Sequence, residues 1–134
     1  MKLIQEAIQD ARSGSPEFTK DQIIQQAFVF PREFVGFSGH FPGEPILPAV
    51  VQISLGVFLA GMLAGQGKPC FLILKSVPKA KFVRKLKPDE LITAKCSTKN
   101  RDNLCFEVAL SVDREPASRF VLECYSPQNR QSYA

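Results

Sequence analysis

The sequence has no tryptophan and only one histidine, His40, in 134 residues. Its four cysteines, Cys70, Cys96, Cys105 and Cys124, include no Cys-x-x-Cys pair. With a single histidine to join them, a zinc site is not expected, and no motif calls for another metal or a cofactor. The cysteines read as reduced thiols, three of them on strands, which fits a cytoplasmic protein. No signal peptide is expected, because Glu6 and Asp10 interrupt the apolar start at Met1-Lys2-Leu3-Ile4. There is no glycine-rich phosphate loop and no aromatic RNA-binding motif, and the net charge is only +4. Nucleic acid is therefore not an expected partner. No repeat or linker divides the chain, so residues 1–134 read as one domain.

Hydrophobic residues make up 45% of the chain, and eleven phenylalanines supply most of the aromatic volume. Residues 46–65, ILPAVVQISLGVFLAGMLAG, carry no charge and have the length of a membrane span. Pro48, Gln52, Ser54, Gly56 and Gly61 interrupt that reading, and a core helix buried on every side is also apolar all round. The reading adopted is a buried helix from about Leu47 to Ala64, stopped by Gly65-Gln66-Gly67. No membrane association is expected.

The flanking segments place this helix. Leu3, Ile4, Ala7, Ile8 and Ala11 recur at helical spacing, giving a short helix over 2–12 that Ser13-Gly14-Ser15-Pro16 ends. Residues 21–30 read as a strand. Pro31 to Pro48 holds so many prolines and glycines that a stiff loop without regular structure is expected. Phe71 to Lys75 and Lys79 to Leu86 read as strands parted by a bend or bulge at Val77-Pro78. Ile92, Ala94 and Cys96 alternate with polar residues. Asn100 to Asn103 forms a hairpin turn, and Phe106, Val108, Leu110 and Val112 alternate again. After a turn at Asp113 to Pro116, Phe120, Leu122 and Cys124 face inward on a last strand. The tail from about 127 is polar. The resulting class is α+β, an antiparallel sheet wrapped around one long central apolar helix. One sheet cannot cover a helix that is apolar on all sides, so a dimer follows from burial.

The segment Phe37-Ser38-Gly39-His40-Phe41-Pro42-Gly43-Glu44-Pro45-Ile46-Leu47-Pro48-Ala49-Val50 carries the most chemistry. Histidine is suited to moving protons near neutral pH. Here glycines and prolines hold its backbone just before a helix start, where N–H groups are free and partly positive. A base beside such donors suits proton abstraction next to a thioester carbonyl. Equally, the ring could hold the loop together by hydrogen bonds.

This segment resembles the G-H-F-P-G-x-P-[VI]-x-P-G-V motif of bacterial β-hydroxyacyl-ACP dehydratases of the FabZ/FabA type. Lys75 to Leu91, with Ala80, Phe82, Pro88, Asp89 and Leu91, is similar to that family's strand pair and its P-G-D-x-L turn. The resemblance implies a hotdog fold, a homodimer or higher oligomer, and a hydro-lyase without metal or redox cofactor. The reaction implied is dehydration of (3R)-hydroxyacyl-ACP to trans-2-enoyl-ACP in fatty acid or related acyl-chain synthesis. By position, His40 matches the catalytic base. Ala49 stands at the helix position whose N–H would polarise the thioester carbonyl, and Gly39, Phe41 and Gly43 complete the substrate-binding loop. The family's acid, fourteen positions after the histidine, is replaced here by Ser54, which cannot serve as a carboxylic acid at neutral pH. The resemblance thus leaves three functions open: an active dehydratase, a non-catalytic or partner-dependent acyl-ACP-binding subunit, and a thioesterase. In the second case a heterodimer with a Glu-bearing homologue would restore a complete site. Lys79, Lys81, Lys85 and Lys87 alternate along one expected strand. They form either a solvated face or a docking surface for acidic acyl carrier protein.

Overall fold

The computed structural model describes residues 3–19, 22–37, 43–66, 68, 70–100 and 102–127. A short helix, α1 (Ile4–Asp10), leads directly into strand β1 (Arg12–Thr19) and then β2 (Ile23–Val29). The central helix α2 (Ala49–Ala64) follows, and then β3 (Ile73–Phe82), β4 (Leu91–Asn100), β5 (Cys105–Val112) and β6 (Glu115–Tyr125). The six strands form one antiparallel sheet in the order β1-β2-β4-β5-β6-β3. This is the α+β class expected from the sequence.

Alternation builds the core. Ile92, Ala94 and Cys96 on β4, Phe106, Val108, Leu110 and Val112 on β5, and Phe120, Leu122 and Cys124 on β6 are buried together. They pack around Val51, Leu55, Leu59, Ala60 and Leu63 of α2. The helix comes close to its neighbours where it lacks side chains. A Cβ on Gly61 would lie 2.3 Å from the Cys70 carbonyl oxygen, so glycine lets the chain return across the end of α2. No helix of the described residues is long and apolar enough to cross a membrane.

Several elements differ from the expectations. Residues 13–16 do not simply end α1. They lie in β1, an edge strand whose register shifts between Ser13 and Glu17 and which accommodates Gly14 at φ 78° and Pro16. An edge position tolerates proline because one side of the strand has no ladder to complete. The Pro31–Pro48 stretch contains a 3-10 turn, Val35–Phe37. The two strands expected around Val77-Pro78 are one, with register shifts between Leu74 and Ser76 and between Ser76 and Lys79. That strand ends at Phe82, so Lys79 and Lys81 lie on β3 while Lys85 and Lys87 lie in the loop beyond it. Phe71, read as the start of a strand, precedes β3 and is 71% exposed. Gln66, at φ 52°, carries the left-handed turn after α2, and Gly67 lies outside the described residues.

Candidate active site

His40, Gly39 and Phe41 lie outside the described residues, and so does the tail beyond Pro127. The structure describes both shoulders of the His40 loop. On one side Phe30, Phe34 and Phe37 are buried and touch in sequence, with ring centroids 4.6 and 5.5 Å apart. On the other side, exposed Gly43 and Glu44 lead through Pro45 and Ile46 to Leu47 and the start of α2.

Leu47 is clamped from both ends. Its N–H donates to the Leu86 carbonyl at 2.8 Å, and its carbonyl accepts from Gln52 Nε2 at 3.1 Å. Gln52 is buried, and its Oε1 accepts from Ser118 Oγ on β6 at 2.7 Å. One amide side chain thus ties the approach to α2 both to the first turn of the helix and to the sheet. Leu86 is fully buried in the loop between β3 and β4. That loop is held by Arg84, whose guanidinium makes a fork with both Glu90 carboxylate oxygens at 3.0 and 2.7 Å and reaches Glu115 at 2.8 Å. The Arg84 hydrogen bonds keep the Glu90 carboxyl below the usual carboxylate range, and the two carboxylates raise the Arg84 guanidinium further. The Asp89 N–H donates to the Phe30 carbonyl at 2.8 Å, so the same loop also secures the other shoulder.

Helix α2 begins after Pro48, which is extended at φ −65° and ψ 154° and gives no side-chain cap. The N–H groups of Val51 and Gln52 both meet the Pro48 carbonyl at 3.1 Å. Ala49 and Val50, both exposed, occupy the first helical positions. At such positions backbone N–H groups have no intrahelical acceptor and serve anions or carbonyl oxygens.

Ser54 lies half-buried one turn further on, and its hydroxyl donates to the Val50 carbonyl at 3.0 Å. Its proton is therefore committed to its own helix. Helix α2 carries no carboxylate at all. The clamp formed by Gln52, Ser118, Arg84 and Glu90 is not apparent from spacing alone. Arg84 sits in a basic run that reads as surface, and only Glu90 six residues later hints at its partner. The structure also reassigns the turn at Pro88. Asp89 takes φ 67°, the conformation that suits the glycine of a Pro-Gly-Asp turn, and Glu90 supplies the carboxylate that ties it.

Comparison with known proteins agrees with this architecture. The signature of the ApeI-like family, ApeI dehydratase, matches residues 16–120. The 3-hydroxyacyl-[acyl-carrier-protein] dehydratase FabZ of Chlamydia trachomatis serovar L2 is 38% identical over 83 residues, covering 58% of this chain and 52% of that protein. FabZ of Syntrophobacter fumaroxidans is 30% identical over 99 residues, covering 69% and 65%. The chain thus spans about half the length of the first of these relatives. In structure it resembles the dehydratase heterocomplex ApeI:P of Xenorhabdus doucetiae, with a TM-score of 0.70 at 22% identity over 82% of this chain and 93% of that one. A hypothetical thioesterase of Streptococcus pneumoniae, solved with coenzyme A, has a TM-score of 0.65 at 9% identity over 84% and 87%, a likeness of hotdog fold alone. With that signature over most of its length and this fold beneath it, the chain belongs to the ApeI-like family of FabZ/FabA-type dehydratases.

Proposed function

We propose that this chain is a subunit of a dehydratase that removes water from (3R)-hydroxyacyl thioesters on acyl carrier protein. The carrying observation is the uncapped start of α2, clamped through Leu47 directly after the Gly39-His40-Phe41-Pro42-Gly43 loop. In this reading the Ala49 N–H holds the thioester carbonyl oxygen. His40 takes the C2 proton, and charge passes to that oxygen. The 3-hydroxyl then leaves as water once it gains a proton. Lys85 and Lys87 flank Leu86, whose carbonyl holds Leu47, so they lie beside the helix start and suit an acidic carrier protein.

One observation favours a second, partner-dependent form of this reading. Ser54 cannot deliver the leaving-group proton as a carboxylic acid, and its hydroxyl is bonded to Val50. A homologous partner bearing a glutamate would complete the site with His40. General acid–base groups contribute about 10²–10⁴-fold, so the lone chain should turn over slowly. The test is to incubate purified chain with 3-hydroxyacyl-ACP and separate enoyl-ACP from free acid. Ser54→Glu should raise enoyl-ACP formation by about tenfold or more, and His40→Ala should abolish it. Robust turnover by the unaltered chain alone would refute the need for a partner. Free acid as product would instead indicate a thioesterase.

A further inference from the structure

A helix start is ordinarily held by an Asn, Asp, Ser or Thr side chain that accepts hydrogen bonds from the first N–H groups. Such a cap would consume the donors that a thioester carbonyl needs. In α2 the cap position is Pro48, and no side chain bonds the helix start there. The hold comes from inside the protein instead, through Gln52.

This hold can be followed atom by atom. Ser118 Oγ on β6 donates to Gln52 Oε1 at 2.7 Å. With its oxygen engaged, the amide turns Nε2 to the Leu47 carbonyl at 3.1 Å. The Leu47 N–H is fixed separately, on the Leu86 carbonyl at 2.8 Å. Both peptide groups that flank Leu47 are thereby held. The proline ring sets φ of Pro48. Its carbonyl is drawn into α2 by the N–H groups of Val51 and Gln52, both at 3.1 Å. The described residues contain no cis peptide bond, and across a trans bond the carbonyl and the next N–H point in opposite directions. The Ala49 N–H is therefore aimed out of the helix start. Gln52 and Ser118 are each only 4% exposed, so solvent does not compete for the amide.

We propose that Gln52 and Ser118 are positioning residues of the acyl-thioester site, a buried relay from β6 that aims the Ala49 N–H at the thioester carbonyl while leaving that N–H unspent. The relay rests on the dehydratase reading above and adds two residues that act on the donor from behind. Misplacing a catalytic contact by about 1 Å can cost about 10²-fold in rate, which is why such a hold matters.

The test reads the carbonyl itself rather than turnover, so it does not depend on how Ser54 is replaced or complemented. The probe is butyryl-ACP with ¹³C at the thioester carbonyl, a substrate analogue with no 3-hydroxyl to lose. Its carbonyl stretch is recorded by isotope-edited infrared spectroscopy, free and with excess protein. A hydrogen bond to the oxygen lowers the frequency, so the band should shift down on the unaltered chain. Gln52→Met keeps the length of the side chain without its donor and should lose most of that shift. Ser118→Ala frees the amide to turn and should lose part of it. Both variants should still bind the probe to within a few-fold. If Gln52→Met does not fold, Gln52→Glu replaces it. Burial raises the pKa of that carboxyl. Protonated, it donates to Leu47 and accepts from Ser118 as the amide does; ionised, it repels the Leu47 carbonyl. The downshift should then be present at about pH 5 and lost toward about pH 9, with no such loss in the unaltered chain. No downshift on the unaltered chain would overturn the carbonyl site of the dehydratase reading and the relay with it. A full downshift retained by Gln52→Met, or by Gln52→Glu at about pH 9, would overturn the relay alone.

Discussion

Gln52 holds a polar amide in an apolar core because Leu47 and Ser118 meet both ends of it. A buried group deprived of its partner costs about 1–3 kcal/mol. Gln52→Leu should therefore lower stability by about that amount, read from the urea midpoint, and should speed hydrogen exchange at the Leu47 amide. Adding Ser118→Ala should recover part of the loss, because only the Leu47 carbonyl then lacks a partner. Ser54 differs. Its hydroxyl bonds to its own helix and remains half-buried, so replacing it disturbs a surface, and Ser54→Glu reads chemistry rather than folding. The sequence marks both residues as interruptions of an apolar run. It does not say that one points into the core and the other toward an open face. That follows from the angle between them round α2 only once the sheet has covered one side.

At the scale of elements, the last three strands were legible because apolar residues alternate along β4 and β5 and at Phe120, Leu122 and Cys124 of β6, where the structure buries Val121 of the other face as well. Their turns follow familiar chemistry. Asn100 Oδ1 accepts from the N–H groups of Asp102 and Asn103. The turn into β6 places Asp113 at φ 51° and Arg114 at φ 68°, both in the left-handed region that suits glycine. Arg114→Gly should raise stability by about 0.5–1 kcal/mol, seen as a higher melting temperature. Neither edge strand was fully legible. Strand β1 carries Gly14 and Pro16, which read as a helix stop, and β3 contains Pro78 within its bulges. An edge strand has only one ladder to satisfy, so its local signal is weaker than that of a central strand.

For the whole molecule, the buried thiols bear on pH dependence. Burial pushes Cys124 up to about 11 and Cys96 higher still. Unfolded, both thiols lose their protons at lower pH than in the folded chain. Above about pH 9 the unfolded state therefore binds fewer protons than the folded state, and stability falls as pH rises. Below that pH their contribution is fully present. Urea midpoints at pH 7 and about pH 10 should show this drop, and Cys96→Ala with Cys124→Ala should flatten it. On the acid side the sign reverses for Glu90. Its carboxyl is held low by Arg84, so the contribution of that ion pair is present above the ordinary carboxylate range and is lost as pH falls through the folded value.

His40, in its Gly-His-Phe-Pro-Gly setting, together with the uncharged helix and the alternating strands, was written in the sequence itself. Each depends on local residue type or period, which the chain displays before it folds. The order of the strands, the clamp on Leu47 and the commitment of the Ser54 hydroxyl were decided only by tertiary structure. Each joins residues far apart in sequence or depends on which face is covered. No local pattern encodes a meeting such as Gln52 with Ser118, sixty-six residues apart. The loop that carries the candidate site is legible in the sequence, but how the helix that follows it is held comes from the packed sheet.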